Sequence, residues 1–272
     1  MTDATQAQDG VQTQGETLFD LKGVSFCVGG SEILAALDLQ LTAGRMTGII
    51  GPNGSGKSSL IKLLARQQVP SSGEIAFLGQ PLSARSNRDL ACRLAYMPQF
   101  TPSAEGMTVR ELVELGRFPW RGALGRMDKT DAAKVAEAIR RTGLEAFADR
   151  LVDSLSGGER QRCWLAMMLA QDAKCLLLDE PTSALDLAHQ ADMLKLVSDL
   201  TREGTLSAVV VLHDINMAAR YCDEIIAVKR GRVAARGTPA EIVTTETLAE
   251  LYDLPMGVMP HPATGQPLGY VL

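Results

Sequence analysis

One segment of the chain combines glycines, a lysine and a serine at the spacing that binds nucleotide phosphates. Residues 51–58, GPNGSGKS, satisfy G-x-x-x-x-G-K-[ST] between an apolar, strand-like run and a segment with helical periodicity. Backbone N–H groups in such a loop converge on a phosphate at a helix N-terminus, where the helix dipole favours an anion. A glycine-rich turn that only caps the helix is the alternative. The predicted phosphate-binding residues are Gly51, Pro52, Asn53, Gly54, Ser55, Gly56, Lys57, Ser58 and Ser59.

Two residues of this loop have distinct expected roles, and two acidic residues complement them. Lys57 should bridge the β- and γ-phosphates, and Ser58 should offer its hydroxyl to Mg²⁺. Asp179 and Glu180 end the apolar run 175–178, although packing gives a buried strand no reason to end in two carboxylates. We expect Asp179 to hold Mg²⁺ and Glu180 to deprotonate the attacking water. A solvated acidic turn is the alternative for this pair.

One histidine is positioned to join this site. His213 follows the strand-like run 209–212, and neighbouring parallel strands bring their C-terminal ends to one crevice. It is therefore expected near the γ-phosphate, with a purely structural histidine as the alternative. His189 and His261 lack the short-range partners of a metal site. The five cysteines contain no C-x-x-C pair, which indicates reduced thiols rather than zinc or disulfides.

A further helix start carries a capping pattern with two extra glycines. Ser156 is placed as the N-cap and Glu159 three residues later completes a capping box. A cap alone does not require Gly157 and Gly158, whereas close approach of a second phosphate would. A good cap with flexible glycines is the alternative.

The order of strand-like and helical runs predicts an α/β fold. Three compact apolar runs late in the chain indicate central strands of a parallel sheet buried on both faces. Residues 108–155 are mostly helical, which predicts an inserted helical subdomain. The expected strands are Phe19–Phe26, Ile33–Leu41, Met46–Ile50, Glu74–Leu78, Leu94–Met97, Lys174–Leu178, Ser207–Leu212 and Glu224–Val228. The expected helices of the insertion are Val109–Leu115, Lys129–Arg141 and Leu144–Arg150.

The composition is that of a globular protein. Hydrophobic residues make up 46% and charged residues 22% of the 272 residues, which excludes a fibrous or disordered chain. The apolar run Cys163–Ala170 is far shorter than the ~20 residues of a membrane-spanning helix. Residues 1–17 lack Lys, Arg and an apolar block, so we expect a disordered tail rather than a secretory signal. The formal charge of −5 argues against a broad nucleic-acid surface.

Five motifs in sequence order resemble the ATP-binding cassette (ABC) family of transport ATPases. They are GPNGSGKSS, MPQF, LSGGERQR, LLLDEPTSALD and VVVLHD, and the resemblance covers residues 18–255. It implies a P-loop NTPase with an ABC nucleotide-binding domain, an antiparallel β subdomain and a helical subdomain at about residues 100–165. Residues 256–272 would then be a C-terminal tail, which we expect to be a surface loop.

The resemblance also implies roles for residues outside the phosphate loop. Gln99 would touch Mg²⁺ or the attacking water, His213 would be the switch histidine, and residues 183–186, with Asp186, would form the D-loop. The signature segment of one subunit, residues 156–159, would complete the ATP site of the other. The implied assembly is a head-to-tail homodimer that encloses two ATP molecules and Mg²⁺.

One position departs from the family pattern. Many cassettes place an aromatic residue before the Gly-Gly of the first hairpin, where it stacks on adenine, but this chain has Val28 there. Phe26 is the alternative contact, with a place in the core as its competing interpretation. Weaker base contacts would relax discrimination between ATP and other nucleotides.

Segments outside the catalytic motifs resemble cassettes of bacterial iron-siderophore, haem and vitamin B12 importers. Residues 107–120 and 212–223 carry this resemblance, and residues 184–190 and 254–262 are most similar to ferric hydroxamate (ferrichrome-type) importer ATPases. It implies a peripheral homodimer on the cytoplasmic face of the inner membrane, bound to two permease subunits through a groove near Gln99. A periplasmic or lipoprotein siderophore-binding protein would act indirectly, and no nucleic acid would bind. A catecholate, haem or vitamin B12 cargo is the alternative.

Other functional classes lack their diagnostic features. A mechanical ATPase of chromosome maintenance needs a long coiled coil between the ATP motifs, but no heptads separate Lys57 from Gly157. A translation-linked protein of this family normally has two cassettes in one chain, and a switch GTPase needs an N-K-x-D segment, which is absent.

Overall fold

The computed structural model describes residues 16–122, 125–183, 185–204 and 206–272. The predicted N-terminal tail therefore lies outside the described residues up to residue 15, and its last residue, Thr17, already belongs to the first strand. The strands are β1 (Thr17–Val28), β2 (Ser31–Thr42), β3 (Met46–Ile50), β4 (Ser72–Phe77), β5 (Gln80–Pro81), β6 (Leu94–Met97), β7 (Cys175–Asp179), β8 (Ser207–Val211), β9 (Glu224–Lys229), β10 (Arg232–Gly237), β11 (Met256–Pro260) and β12 (Pro267–Val271). The helices are α1 (Lys57–Leu64), α2 (Asn87–Ala91), α3 (Val109–Leu115), α4 (Phe118–Arg121), α5 (Lys129–Arg141), α6 (Gly157–Ala170), α7 (Leu187–Arg202), α8 (Ile215–Tyr221), α9 (Pro239–Ile242) and α10 (Thr245–Tyr252).

A six-stranded sheet forms the centre of the fold, in the order β10-β9-β3-β8-β7-β6. All its neighbouring pairs are parallel except β10 with β9. Strands β3, β7 and β8 are buried along their whole length, because helices cover both faces. The parallel arrangement brings the carboxyl ends of β3, β7 and β8 to one edge of the sheet, where the loops that follow them meet.

A second, antiparallel sheet forms the predicted β subdomain, in the order β2-β1-β4-β5. Its inner face packs on α1 and on one side of the central sheet in a shared apolar core. Phe19 and Phe77 lie at the centre of this core, with ring centroids 4.8 Å apart. The β subdomain therefore covers the helix that begins in the phosphate loop.

The helical subdomain, predicted at about residues 100–165, has an apolar core of its own, to which α3, α5 and α6 contribute. The predicted bounds of α3 and α5 are confirmed. The predicted helix Leu144–Arg150 is wrong, because only the short 3₁₀ turn Glu145–Phe147 forms there. The carbonyl oxygens of Ala148 and Arg150 instead accept hydrogen bonds from the first N–H groups of α3. No helix of the described residues is long and apolar enough to span a membrane.

The C-terminal segment is ordered, so the expectation of a surface loop for residues 256–272 is wrong. Strands β11 and β12 pair in antiparallel register from Met256↔Val271 to Pro260↔Pro267. Asn216 on α8 anchors this hairpin, because its amide donates to the carbonyl of Gly269 at 3.1 Å and accepts from the Gly269 N–H at 2.8 Å. The backbone pairing replaces hydrogen bonds to water, which a surface loop would need.

Candidate functional site

The phosphate loop, residues 51–58, joins β3 to α1 and fits tightly against its neighbours. A Cβ atom on Gly51 would lie 2.0 Å from the carbonyl oxygen of Val228 on β9. A Cβ atom on Gly56 would lie 2.6 Å from the Leu34 side chain on β2. Both glycines have positive φ angles, 146° and 104°, which also disfavour any other residue. Close packing therefore fixes the path of the loop, with Asn53 and Gly54 exposed at its tip.

Lys57 lies under the loop that precedes it. Its Nζ donates hydrogen bonds to the carbonyl oxygens of Gly51 at 2.8 Å and Pro52 at 2.9 Å. Burial lowers the pKa of the Lys57 ammonium below its ordinary value, while Glu180 and Asp179 act in the opposite direction. The ammonium is thus held at the N-terminus of α1, where a phosphate would add a negative charge.

Two of the three predicted magnesium ligands, Ser58 and Asp179, are brought together from two elements. The Ser58 hydroxyl on α1 donates to Oδ1 of Asp179 at the end of β7, at 3.0 Å. The other oxygen of this buried carboxylate, Oδ2, has no hydrogen-bond partner among the described residues. Burial raises the pKa of Asp179, and the hydrogen bond from Ser58 partly offsets that effect. A hydroxyl beside a buried carboxylate oxygen without a partner fits the hard oxygen ligands that Mg²⁺ prefers.

The three predicted catalytic residues are in direct contact. Glu180 follows β7, and its Oε2 accepts a hydrogen bond from Nε2 of Gln99 at 2.7 Å. Its Oε1 lies 2.7 Å from Nε2 of His213, which follows β8. Glu180 has a φ of 52°, uncommon for a residue other than glycine, and such strained positions cluster at functional sites. The chain thus directs one carboxylate between an amide and an imidazole.

The space beside Glu180 is a cavity of about 250 Å³ between the loops that follow β7 and β8. Thr182, Ser183 and His213 line it together with the Glu180 carboxylate. A larger cavity, about 830 Å³, opens elsewhere, beside Arg93 and Lys174 at the amino ends of β6 and β7. We assign the site to the smaller cavity, because the Glu180 carboxylate and the His213 imidazole converge there.

The signature segment begins α6 as predicted. The Ser156 hydroxyl accepts the N–H of Glu159 at 3.3 Å, and the Glu159 carboxylate accepts the N–H of Ser156 at 2.8 Å. Hydrogen bonds to Ser156 lower the pKa of Glu159. A Cβ atom on Gly157 would meet nothing within 4 Å, whereas one on Gly158 would collide with His189. Within one chain, the space beside Gly157 is therefore open, whereas His189 occupies the space beside Gly158.

The D-loop, residues 183–186, leads from the Glu180 site into α7, and its residue Ala184 lies outside the described residues. Asp186 is the N-cap of α7 and accepts hydrogen bonds from the backbone N–H and the imidazole Nδ1 of His189. These bonds lower the pKa of Asp186. Within one chain, the described residues show no hydrogen bond between Asp186 or the signature segment and the phosphate loop.

Sequence reasoning missed two glutamines that hold the loops of this site. Gln190 donates to the carbonyl oxygens of Thr182 at 3.2 Å and Leu185 at 2.9 Å. Gln161 on α6 donates to the carbonyl oxygen of Pro181 at 2.8 Å. Both glutamines lie one turn into a helix that starts at a predicted motif. This position in the sequence was the signal that could have identified them.

Phe26 and Val28 are the two residues considered for the contact with adenine, and they lie in different surroundings. Phe26 lies in the core of the β subdomain, so the core interpretation of this residue is confirmed. Val28 at the end of β1 has 54% of its surface exposed. An exposed valine offers a base apolar contact without the stacking surface of an aromatic ring.

A family model described as ABC transporter matches residues 34–183, more than half of the chain. The hemin import ATP-binding protein HmuV of Streptomyces coelicolor is 44% identical over 251 residues, 92% of this chain and 89% of its own. The achromobactin transport ATP-binding protein CbrD of Dickeya dadantii is 42% identical over 236 residues, 87% and 88% of the two chains. The iron(3+)-hydroxamate import ATP-binding protein FhuC of Bacillus subtilis is 38% identical over 240 residues, 88% and 89% of the two chains.

Solved structures agree with these relatives. One, described as an inward-facing conformation of a metal-chelate type ABC transporter, has a TM-score of 0.82 at 27% identity and covers 94% of this chain and 98% of that chain. Another, a dimeric ATP-binding cassette in a post-hydrolysis state with ADP and Pi, has a TM-score of 0.70 at 30% identity over 81% and 98% of the two chains. The motifs, the fold and the relatives lead to one conclusion: the chain belongs to the ABC transporter family, as its ATP-binding domain.

Proposed function

We propose that this protein is the ATP-hydrolysing subunit of a bacterial ABC importer that takes up iron chelates, with ferric hydroxamate siderophores as the cargo. The observation that carries the proposal is the Glu180 carboxylate, held between Gln99 and His213 at the edge where the phosphate loop begins α1. A binding module would not need a strained carboxylate in contact with two polar side chains beside a phosphate site.

The phosphates of ATP would lie at the N-terminus of α1. The backbone N–H groups of the phosphate loop, the hydroxyl of Ser59 and the ammonium of Lys57 would neutralise their charge. Glu180 would accept a proton from the attacking water, and His213 and Gln99 would hold its carboxylate and the γ-phosphate in position. The contacts that support these roles are the two 2.7 Å contacts to Glu180.

Ser58 and Asp179 would hold Mg²⁺, and Gln99 is the third proposed ligand. When bound, the ion would neutralise negative charge on the phosphate oxygens. Ser58 supplies the hydroxyl, and Asp179 supplies a buried carboxylate oxygen that has no hydrogen-bond partner among the described residues. Both groups are suited to the charge of Mg²⁺.

A second copy of the chain would complete each ATP site. The signature residues Ser156, Gly157, Gly158 and Glu159, and also Asp186, make no hydrogen bond to the phosphate loop of their own chain in the described residues. The capping box uses the N–H groups of Ser156 and Glu159. The helix dipole still favours an anion beside Gly157 and Gly158, so the start of α6 is suited to the γ-phosphate of a partner's ATP. The dimeric relative with ADP and Pi supports this arrangement.

The membrane partner would be a pair of permease subunits, and the protein would be peripheral on the cytoplasmic face of the inner membrane. Phe100, next to Gln99, has 83% of its surface exposed. An exposed aromatic side chain beside the catalytic amide is suited to a short permease helix, so that ATP-driven closure would be transmitted to the membrane subunits. A siderophore-binding protein outside the membrane would act through the permease and not touch this chain.

The hydroxamate cargo is proposed from two segments of the chain. Relatives named for hemin, achromobactin and hydroxamate import are 44%, 42% and 38% identical to this chain, so overall identity does not favour hydroxamate. The hydroxamate proposal rests on segments 184–190 and 254–262. These lie in the D-loop with the start of α7 and in the C-terminal hairpin, outside the phosphate loop.

Uptake in cells tests this proposal. Cells that lack the gene, cells that carry the wild-type gene and cells that carry Glu180→Gln are compared for uptake of radiolabelled iron as ferrichrome, as a ferric catecholate and as haem, and of labelled vitamin B12. We expect ferrichrome uptake alone to require the wild-type gene. If uptake of a different cargo requires the gene, that cargo would replace hydroxamate in the proposal, and the importer function would be retained. Uptake of all four without the gene would favour a non-transport mechanical ATPase.

A further inference from the structure

We propose that His189 is a positioning residue that joins the signature segment to the D-loop, so that Gly158 and Asp186 are presented to the second copy of the chain as one unit. The inference rests on the proposed function for what these two segments contact. His189 lies in the first turn of α7 and belongs to neither segment.

The first contact of His189 is with the D-loop. Its backbone N–H donates to Oδ1 of Asp186 at 3.0 Å, and its ring Nδ1 donates to the same oxygen at 2.8 Å. A carboxylate that caps a helix usually receives only backbone donors. The imidazole adds a side-chain donor. This second hydrogen bond fixes the plane of the His189 ring relative to Asp186.

The second contact is with the signature segment. A Cβ atom on Gly158 would lie 2.3 Å from Cδ2, 2.7 Å from Cγ and 2.9 Å from Nε2 of His189. These distances place the imidazole ring directly on the backbone of Gly158, which is buried. Three ring atoms are involved, one of them at the base of the ring, so rotation of the ring end alone would not relieve a clash.

Glycine is therefore required at positions 157 and 158 for two different physical reasons. Gly158 has no positive φ, so alanine there would keep a helical backbone and gain helix propensity. The imidazole of His189 is the obstacle to a side chain at this position within one chain. Gly157 is exposed and would meet nothing within 4 Å, so only a second molecule would require glycine there.

The loop that leads to Asp186 is held at further points, which makes the unit stiff. Gln161 binds the carbonyl oxygen of Pro181 from α6, and Gln190 binds those of Thr182 and Leu185 from α7. His189 is the residue of this group that reaches a signature glycine. Loss of its ring would leave the D-loop attached but the start of α6 free to shift relative to it.

Two explanations of Gly158 make opposite predictions. If His189 requires the glycine, Gly158→Ala should be harmful only while His189 is present. If a phosphate bound by the partner chain requires the glycine, Gly158→Ala should be equally harmful with any residue at position 189. A double-mutant cycle separates these explanations, because the coupling between two substitutions measures their contact.

The cycle uses the full-length protein with Gly158→Ala, His189→Ala and the double variant, each measured for kcat and KM of ATP hydrolysis, for ATP-dependent dimer formation and for Tm. When His189 is present, we expect Gly158→Ala to lower kcat about tenfold with little change in KM. In the His189→Ala background, adding Gly158→Ala should lower kcat by less than about twofold. Gly157→Ala, alone and with His189→Ala, is the matched control, and its effect should not depend on position 189.

A conservative variant tests positioning against simple packing. The side-chain amide of His189→Asn can occupy the positions of Cγ, Nδ1 and Cδ2. It therefore keeps a donor to Asp186 and the atoms nearest to Gly158, so we expect kcat within about threefold of wild type. His189→Ala should lower kcat and dimer formation without a comparable change in Tm. Equal losses for His189→Asn and His189→Ala, or a Gly158→Ala loss that is independent of His189, would overturn the proposal.

The controls separate failure of this inference from failure of the proposed function. Wild-type protein that neither hydrolyses ATP nor dimerises with it would contradict the proposed function. The coupling between Gly158→Ala and His189→Ala in Tm would still test the contact in that case, since it needs no nucleotide. Additive Tm changes would reject the contact.

Discussion

Nε2 of His213 lies 2.7 Å from Oε1 of Glu180. The two residues follow neighbouring parallel strands, whose register pairs Asp179 with Val211 at the carboxyl edge of the sheet. Only 10% of the Glu180 side chain is exposed, against 46% for His213. The carboxylate is thus held at the bottom of the site, and the imidazole lies at its entrance.

This arrangement predicts the behaviour of Glu180→Gln. Glutamine keeps the size and the hydrogen-bonding reach of the side chain but cannot accept the proton of water, so turnover should fall at least about 100-fold. ATP affinity should be retained, because the phosphate loop is unchanged, and closed dimers should accumulate with ATP. Single-turnover hydrolysis and size-exclusion chromatography with ATP measure both effects. Unchanged hydrolysis would remove Glu180 from the role of general base.

Lys57→Ala should weaken nucleotide binding itself. The substitution removes a buried ammonium that is held at the start of α1, and charge-assisted contacts of this kind correspond to roughly 10- to 100-fold in affinity. Titration with a fluorescent ATP analogue measures the change. Lys195→Ala, which removes an exposed lysine on α7, is the control and should bind like wild type. Wild-type affinity of Lys57→Ala would contradict the phosphate-loop assignment.

Ser156→Arg should separate nucleotide binding from dimer formation. The bulky cation replaces the N-cap of α6 on a surface that does not contact the phosphate loop of the same chain, so each monomer should bind ATP normally. ATP-dependent dimers should be absent in light scattering. Thr130→Arg adds the same side chain at an exposed position on α5 and should dimerise. Dimers of Ser156→Arg would count against a shared site.

The helical subdomain contains a buried ion pair between Arg117 and Asp131. Arg117 Nε donates to Oδ1 of Asp131 at 2.8 Å, both side chains are more than nine-tenths buried, and Arg117 also donates to the carbonyl oxygen of Ala170. Asp131→Ala leaves the guanidinium without its partner and should lower the free energy of unfolding by about 3 kcal/mol. Asp199→Ala breaks an exposed pair and should cost less than about 1 kcal/mol.

The same ion pair predicts a pH dependence of stability. Burial tends to raise the pKa of Asp131, but the hydrogen bond from Arg117 and that from the Asp128 backbone outweigh it, so the pKa in the folded state is lowered. A lowered folded pKa gives a contribution that is present above the unfolded value of about 3.9 and is lost as the pH falls through the folded value. The Tm difference between wild type and Asp131→Ala should therefore shrink below about pH 4. A difference that grows with acid would contradict this.

Local patterns predicted the bounds of several elements around the candidate site. The bounds of β3, β6, α3 and α5 are those expected, because compact apolar runs and capping residues mark their ends locally. Glu180 and His213 were predicted from the same kind of pattern, since each follows an apolar run, whereas Gln99 was implied only by the resemblance to the ABC family. Local pattern also placed Ser156 and Glu159 in a capping box.

Contacts between distant segments were not predictable from patterns. The path of residues 144–150 depends on hydrogen bonds to α3, and the C-terminal hairpin depends on Asn216. Two glycines in a row at a helix start gave one expectation for both, but Gly158 contacts His189, which is far from it in the sequence. Such pairs are determined by how helices pack, which periodicity does not encode.

The most direct test of the account is whether an ATP site is built from two chains. Mixed dimers are prepared with two affinity tags in the Glu180→Gln background, and the ATP that they retain is measured. A dimer of one Lys57→Ala chain and one Ser156→Arg chain should retain ATP, because one intact phosphate loop still faces one intact signature. A dimer of one unmodified chain and one chain with both substitutions should retain none after a chase with unlabelled ATP, since ATP on the phosphate loop of a single chain exchanges with solution. The reverse result, ATP retained only by the second dimer, would show that each site lies within a single chain and would contradict the account.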